Sequence, residues 1–229
     1  MSHKTAIVLV TYRRLRTLTP IIEAWLKETP DVWLADCSAE GYRNEKGLKI
    51  KLARFQPDPG SRSRHALAMM TEAEFVIKAD DDLVPQPGLL ADFEKAYAGT
   101  GLGILGLIGR RFLGPSYYKD TQFFKAAAVK APVEVDFVGV TTYSPRAFLG
   151  FDLKGCTSPI EDLFWQMKAY PGARKWVIPT TKYMNLPASH DSSCLFHDPK
   201  AREEREAFYG CYFRTYYQER KPRWTPKNT

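Results

Sequence analysis

The run Phe75-Val76-Ile77-Lys78-Ala79-Asp80-Asp81-Asp82 constrains this chain more than any other stretch. A short apolar segment that ends in successive acids reads as a buried strand whose carboxyl end emerges at the edge of a sheet. Two unit charges about 4 Å apart oppose one another by roughly 4 kcal/mol at an effective dielectric of about 20, so adjacent acids are unfavourable unless a cation shares them. In extended backbone Asp80 and Asp82 face one side and Asp81 the other, with about 7 Å from i to i+2. Two carboxylates then face one site. Hard divalent cations such as Mg²⁺ or Mn²⁺ are held by one or two carboxylates together with phosphate oxygens and water, which suits a nucleoside-diphosphate ligand. The competing reading is a solvated acidic turn running into Leu83-Val84-Pro85.

The surrounding pattern predicts an α/β plan. Ala6 to Thr11 is a β-branched apolar run without alternation, a first parallel strand covered on both faces. Leu18, Ile21, Ile22, Trp25 and Leu26 follow at helical spacing, with Thr19-Pro20 near the expected start. Val32 to Asp36 reads as a second strand, and Leu48 to Phe55 as a half-exposed third that Pro57-Asp58-Pro59-Gly60 breaks. Ser61 caps a helix to about Glu72, ahead of the Phe75 strand. Ligands of such sheets sit beyond the carboxyl ends of the strands, and Thr11-Tyr12, Asp36 and the three acids all fall there.

Beyond the acids, Pro87 to Tyr97 is predicted helical. Gly101 to Gly106 spells G-x-G-x-x-G, but it follows a helix and enters an apolar run, so it is read as a turn into a strand and not as a dinucleotide site. Arg110 to Asp120 is read as an aromatic loop, Val133 to Thr142 as a strand, Pro159 to Tyr170 as a helix, Lys175 to Pro179 as a last strand and Pro199 to Tyr217 as a helix.

With 229 residues, 44% of them hydrophobic, the chain has ample material for one large core. No run of about 18 apolar residues occurs, and Met1-Ser2-His3-Lys4 leads directly into the first strand, so the expectation is a cytoplasmic protein with no transmembrane segment. Cys37, Cys156, Cys194 and Cys211 form no C-x-x-C pair, which argues against a zinc ribbon or redox motif. The net charge of +7 favours anionic partners, with basic stretches from Arg43 to Arg64 and from Lys200 onward.

Taken together, Val10-Thr11-Tyr12-Arg13-Arg14, Asp36-Cys37-Ser38, Asp80-Asp81-Asp82 and Glu161-Asp162 resemble, in order, the motifs of GT-A glycosyltransferases, most closely the family 2 type. The resemblance covers most of the chain to about His197 and rests on short motifs. It implies a GT-A, Rossmann-like, mostly parallel sheet flanked by helices. The implied organisation is a nucleotide-sugar half over residues 1–100, an acceptor half over 101–198 and a basic helical tail over 199–229. It also implies donor contacts at Thr11, Tyr12, Arg13, Asp36, Arg62, Arg64, Asp80 and Asp81. The metal, Mn²⁺ or Mg²⁺, falls to Asp80, Asp82 and His190, with His197 as the other candidate, and catalysis to Asp162 with Glu161.

The function so implied is sugar transfer from a nucleotide sugar, a UDP-sugar in the leading version, to a hydroxyl acceptor, with inversion weakly favoured. The acceptor classes left open are a glycan and a polyanion such as hydroxymethylated DNA lying along Lys49, Lys51, Arg62, Arg64 and the tail at Arg220, Lys221 and Arg223. A nucleotidyltransferase is the enzyme alternative, although the first strand runs into Thr11-Tyr12-Arg13-Arg14-Leu15 with no glycine-rich phosphate loop. A nucleic-acid-binding module is the non-enzymatic alternative, and it leaves the three acids unexplained.

Overall fold

The computed structural model describes residues 4–12, 14–56, 59–186 and 198–214. The first apolar run forms β1 (Thr5–Thr11), in which Ala6, Ile7, Val8 and Leu9 have no exposed surface. Helix α1 (Leu15–Glu28) buries Leu18, Ile21, Ile22 and Trp25, the stripe that the helical spacing predicts. It begins earlier than expected, so Pro20 lies inside the helix and not at its start. Strand β2 (Val32–Asp36) and β3 (Lys51–Arg54) follow, the latter shorter than the alternating pattern suggested. After α2 (Ser63–Met70) comes β4 (Phe75–Ala79), buried at every position.

A short strand β5 (Leu83–Pro85) and helix α3 (Leu89–Thr100) lead into the long β6 (Gly103–Phe112). Gly88 enters α3 in the left-handed region at φ 86°, and Glu28 accepts from the backbone N–H groups of Gly88 and Leu90 at 2.7 and 2.9 Å. Of the G-x-G-x-x-G glycines, Gly101 serves the backbone conformation, and Gly103 and Gly106 serve close packing. Gly101 ends α3 at φ 76°, and a Cβ on Gly103 would lie 2.6 Å from the Arg174 carbonyl oxygen. This is a turn into a strand, as the sequence context indicates.

The second half contains β7 (Thr121–Lys125), β8 (Val133–Val135) and β9 (Phe137–Pro145). The run read as one strand from Val133 is thus two, and β7 was not foreseen. Helix α4 (Glu161–Leu163) continues as a π-helix over Phe164–Ala169. Strands β10 (Arg174–Val177) and β11 (Tyr183–Asn185) precede α5 (Pro199–Tyr212), which Asp198 caps by accepting from the Lys200 N–H.

Nine strands form one sheet in the order β3-β2-β1-β4-β9-β6-β10-β8, with β7 paired to β6. The first four are mutually parallel, as predicted, while β9 joins both β4 and β6 antiparallel, so the sheet as a whole is mixed. A register shift interrupts β6 against β9 between Gly106 and Ile108. Opposite it, Val140 adopts φ 52°, an unfavourable conformation for a β-branched residue. A separate apolar cluster of Phe112, Tyr117, Phe137, Leu163, Met167 and Tyr209 docks α5 on this end of the sheet. No helix among the described residues is long and apolar enough to cross a membrane.

Candidate active site

The acids sit where β4 stops. Because the strand ends at Ala79, Asp80, Asp81 and Asp82 occupy a turn, and the alternation expected of extended backbone does not continue through them. Arg14, between β1 and α1, donates to Asp81 Oδ1 at 3.0 Å and to Asp82 Oδ2 at 2.9 Å. Asp80 turns the other way, and its Oδ1 accepts from Arg64 Nη1 at 2.7 Å. Asp81 and Asp82 therefore share a cation, and Asp80 is the acid set apart. Burial, then the neighbouring Asp80 and Asp81 charges, pushes the Asp82 carboxyl up to about 6 in spite of Arg14. Burial likewise raises Asp81.

That crowding is the condition a divalent cation relieves; Asp80 and Asp82 carry the ligand type such a metal takes, but here they turn to different arginines. No group of three or more His, Cys, Asp or Glu side chains able to hold a metal is gathered among the described residues. His190, His197 and Arg13 lie outside them. Strand β11 pairs with β5, and the Leu186 N–H donates to the Asp82 carbonyl at 2.8 Å, so the last described residue before position 187 is fastened to the third acid.

The Glu161-Asp162 pair divides. Glu161 is buried and does not face the cavity described below. Its carboxylate accepts from Lys78 Nζ at 2.8 Å, from Arg64 Nη2 at 3.1 Å and from His65 Nε2. Burial alone would raise its pKa, but Lys78, Arg64 and His65 outweigh it and hold Glu161 well below the usual carboxylate range. Burial and Lys78 lower the His65 pKa, so the imidazole is neutral and its Nε2–H is the donor to Glu161. Lys78 lies 3.5 Å from the centroid of the Trp165 ring. The place expected for a catalytic Glu161 is thus a charge hub that orients Arg64, and through it Asp80.

Asp162 lies on the wall of a cavity of about 410 Å³ that Asp80 also lines, together with Arg110, Tyr117, Phe123 and Arg205. Its Oδ2 accepts from Arg205 Nη2 at 2.9 Å and its Oδ1 from the Leu163 N–H at 2.9 Å. Arg205, from α5, also donates to the Pro159 carbonyl at 2.6 Å and to the Tyr117 hydroxyl at 3.1 Å. The strained Val140 lines the same cavity.

The other predicted contacts differ in exposure and in their partners. Thr11 is buried and Tyr12 is 47% exposed beyond the end of β1. Asp36 is 1% exposed and folds the next loop, accepting from the Ser38 N–H and hydroxyl and from the Tyr42 N–H. Arg62 donates to the carbonyls of Pro59 and Cys156. Arg64 is held between Asp80 and Glu161. Of the basic residues expected to border the donor cleft, Lys51 pairs with Asp31 at the amino end of β3, away from the carboxyl ends where the acids sit. Arg220, Lys221 and Arg223 lie outside the described residues.

Five residues of the site escaped sequence reasoning. Lys78 and His65 left signals, a lysine inside an apolar strand and a histidine on the inner face of α2. Arg205 left another, since it occupies the stripe Ala201, Arg205, Phe208, Tyr209, Tyr212 that is otherwise apolar or aromatic. Arg14 stands in the Val10-Thr11-Tyr12-Arg13-Arg14 motif without a role of its own, and Arg110 left no signal, because a single arginine within a loop-like stretch is ordinary surface composition.

No protein-family model matches the chain. No curated protein matches it either. Among solved structures, S. aureus TarS 1–349 in complex with UDP-GlcNAc is similar with a TM-score of 0.55 and 21% identity, over 79% of this chain and 57% of that one. The UDP complex of TarS 1–349 gives 0.55 and 22%, over 79% and 59%. A further structure of TarS 1–349 gives 0.56 and 18%, over 95% and 73%. The chain therefore spans less than two thirds of the first two, and at these identities the likeness shows the fold, an α/β arrangement of the GT-A kind.

Proposed function

We propose that this chain transfers a sugar from a nucleotide sugar, a UDP-sugar, to a hydroxyl acceptor with the help of a divalent cation. The observation that carries the reading is that Asp80, from the acid cluster at the end of β4, and Asp162, from the start of α4, line one cavity. The likeness in fold to TarS structures with UDP-GlcNAc and UDP supports the nucleotide class.

In the proposed reaction the acceptor oxygen bonds to the anomeric carbon. The bond from that carbon to the phosphate oxygen breaks, its electron pair leaves on UDP, and the acceptor proton passes to the Asp162 carboxylate. Arg205 and the Leu163 N–H orient that carboxylate. In-line attack assisted by a base inverts the anomeric centre, which makes inversion part of the proposal. A bound Mn²⁺ or Mg²⁺ supplies counter-charge for the departing diphosphate. Asp82 and Asp80 are the described residues that would hold it. His190, four residues beyond Leu186, is the proposed third contact, within a chain reach of about 14 Å.

Calorimetric titration of UDP with and without Mn²⁺ tests the reading. The expected result is binding that needs the metal and is lost in Asp82→Ala. Affinity indifferent to both metal and substitution rejects it.

A further inference from the structure

The cavity shared by Asp80 and Asp162 contains a cation, Arg110, that no acid among the described residues answers. Arg110, on β6, uses Nη1 to donate to the Tyr117 carbonyl at 3.4 Å and to the Thr121 hydroxyl at 3.0 Å, both neutral acceptors. No carboxylate among the described residues pairs with it. The other arginines of the site are matched: Arg205 by Asp162, Arg64 by Asp80 and Glu161, and Arg14 by Asp81 and Asp82.

The surroundings hold this guanidinium in place. Its carbon lies 4.7 Å from the centroid of the Tyr117 ring and 5.1 Å from that of Phe123. Ring contacts of this kind fix the plane of the fork and remove water from its faces, leaving its edge for a planar or tetrahedral anion. A partly desolvated charge without a counter-ion is costly, so the arrangement favours a ligand that supplies one.

Sheet order indicates which substrate that ligand belongs to. Thr11 and Asp36, the expected nucleotide contacts, end β1 and β2 on one side of β4, whereas the cavity is lined from β6 and β9 on the other side. We propose that the cavity is the acceptor subsite and that Arg110 binds an anionic group, a phosphate or a carboxylate, carried by the acceptor near the hydroxyl presented to Asp162. This rests on the glycosyl-transfer reading above and adds to it the charge of the acceptor.

Matched probes test it: glucose 6-phosphate against glucose, glycerol 3-phosphate against glycerol, and glucuronate against glucose. Each is titrated by NMR against the wild type, Arg110→Gln and Arg110→Lys, with and without UDP and Mn²⁺. The wild type is expected to bind at least one anionic member about tenfold more tightly than its neutral partner. Arg110→Gln is expected to bring that ratio close to one and Arg110→Lys to keep part of it, with UDP affinity held in both.

No anionic preference in the wild type, or a preference that survives in Arg110→Gln, overturns the proposal. UDP-glucuronate and UDP-glucose are titrated in the same way, and an anionic preference confined to that pair assigns the anion to the donor sugar and overturns the acceptor assignment. The probe titrations need no donor. Failure of UDP to bind therefore counts against the donor reading alone, and is distinguishable from failure of the anion preference.

Discussion

Glu161 holds one negative charge against Lys78 and Arg64 and accepts a hydrogen bond from His65, all of them buried or nearly so. Removing one partner of a buried ion network leaves the others uncompensated, at a cost of about 3–5 kcal/mol. Glu161→Gln should therefore lose about that much in urea denaturation at pH 7.5. The folded pKa of Glu161 is depressed, so its contribution is complete above the ordinary value of 4.5 and declines as pH falls below it. The deficit of the variant should shrink at pH 3.5, and a deficit unchanged with pH would argue against the charge account.

Asp82 works in the opposite sense. Its folded pKa is raised from 3.8 to about 6, so ionisation costs stability progressively between those values and by a constant amount above them. Metal-free Asp82→Asn is expected to be more stable than the wild type by about 1–3 kcal/mol at pH 7.5, with no difference near pH 3.8. Saturating Mn²⁺ should reverse the order, because it stabilises only the protein that binds it. For Asp162→Asn the expectation is unchanged UDP affinity with turnover lowered about 10²–10⁴-fold, the usual loss with a general base. Turnover near the wild-type rate would leave Asp162 a structural partner of Arg205.

At the scale of elements, α5 brings Arg205 to Asp162, and its docking depends on Tyr209. That side chain has no exposed surface, its ring lies 4.5 Å from Phe112, and its hydroxyl donates to the Gly114 carbonyl at 2.7 Å. Truncating a buried aromatic costs about 3–5 kcal/mol. In Tyr209→Ala that loss should appear first as faster proteolysis within α5 and lower turnover, with UDP affinity retained. Loss of UDP binding in step with turnover would mean that α5 supports the whole fold and not this side of the cavity alone. The β6 and β9 pair contributes differently: β6 brings Arg110 to the cavity, and Val140 of β9, opposite the register shift, lines its wall.

At the scale of the whole molecule, the described basic residues between Arg43 and Arg64 do not line the cavity. Lys51 sits at the amino end of the parallel strands with Asp31, while the acids sit at the carboxyl end. A Lys49→Glu, Lys51→Glu double variant should bind heparin more weakly at low salt yet keep UDP affinity and UDP-sugar hydrolysis within about twofold. A larger fall in either would return these lysines to the site.

The sequence by itself determined the elements whose side chains decide their own burial. The apolar runs of β1 and β4, the Leu18-Ile21-Ile22-Trp25 stripe and the acids after Ala79 each report a local periodicity or an abrupt change of polarity. Even the G-x-G-x-x-G stretch was legible as a turn into a strand, because its neighbours were. Tertiary structure alone decided which charges meet. Glu161 and Asp162 are adjacent in the chain, yet one lies in a buried cage and the other on a cavity wall. Arg14, Arg64 and Arg205 reach their acids over 67, 16 and 43 residues. A long cation is indifferent to its immediate sequence, and its place is fixed by the distant carboxylate that makes its burial affordable.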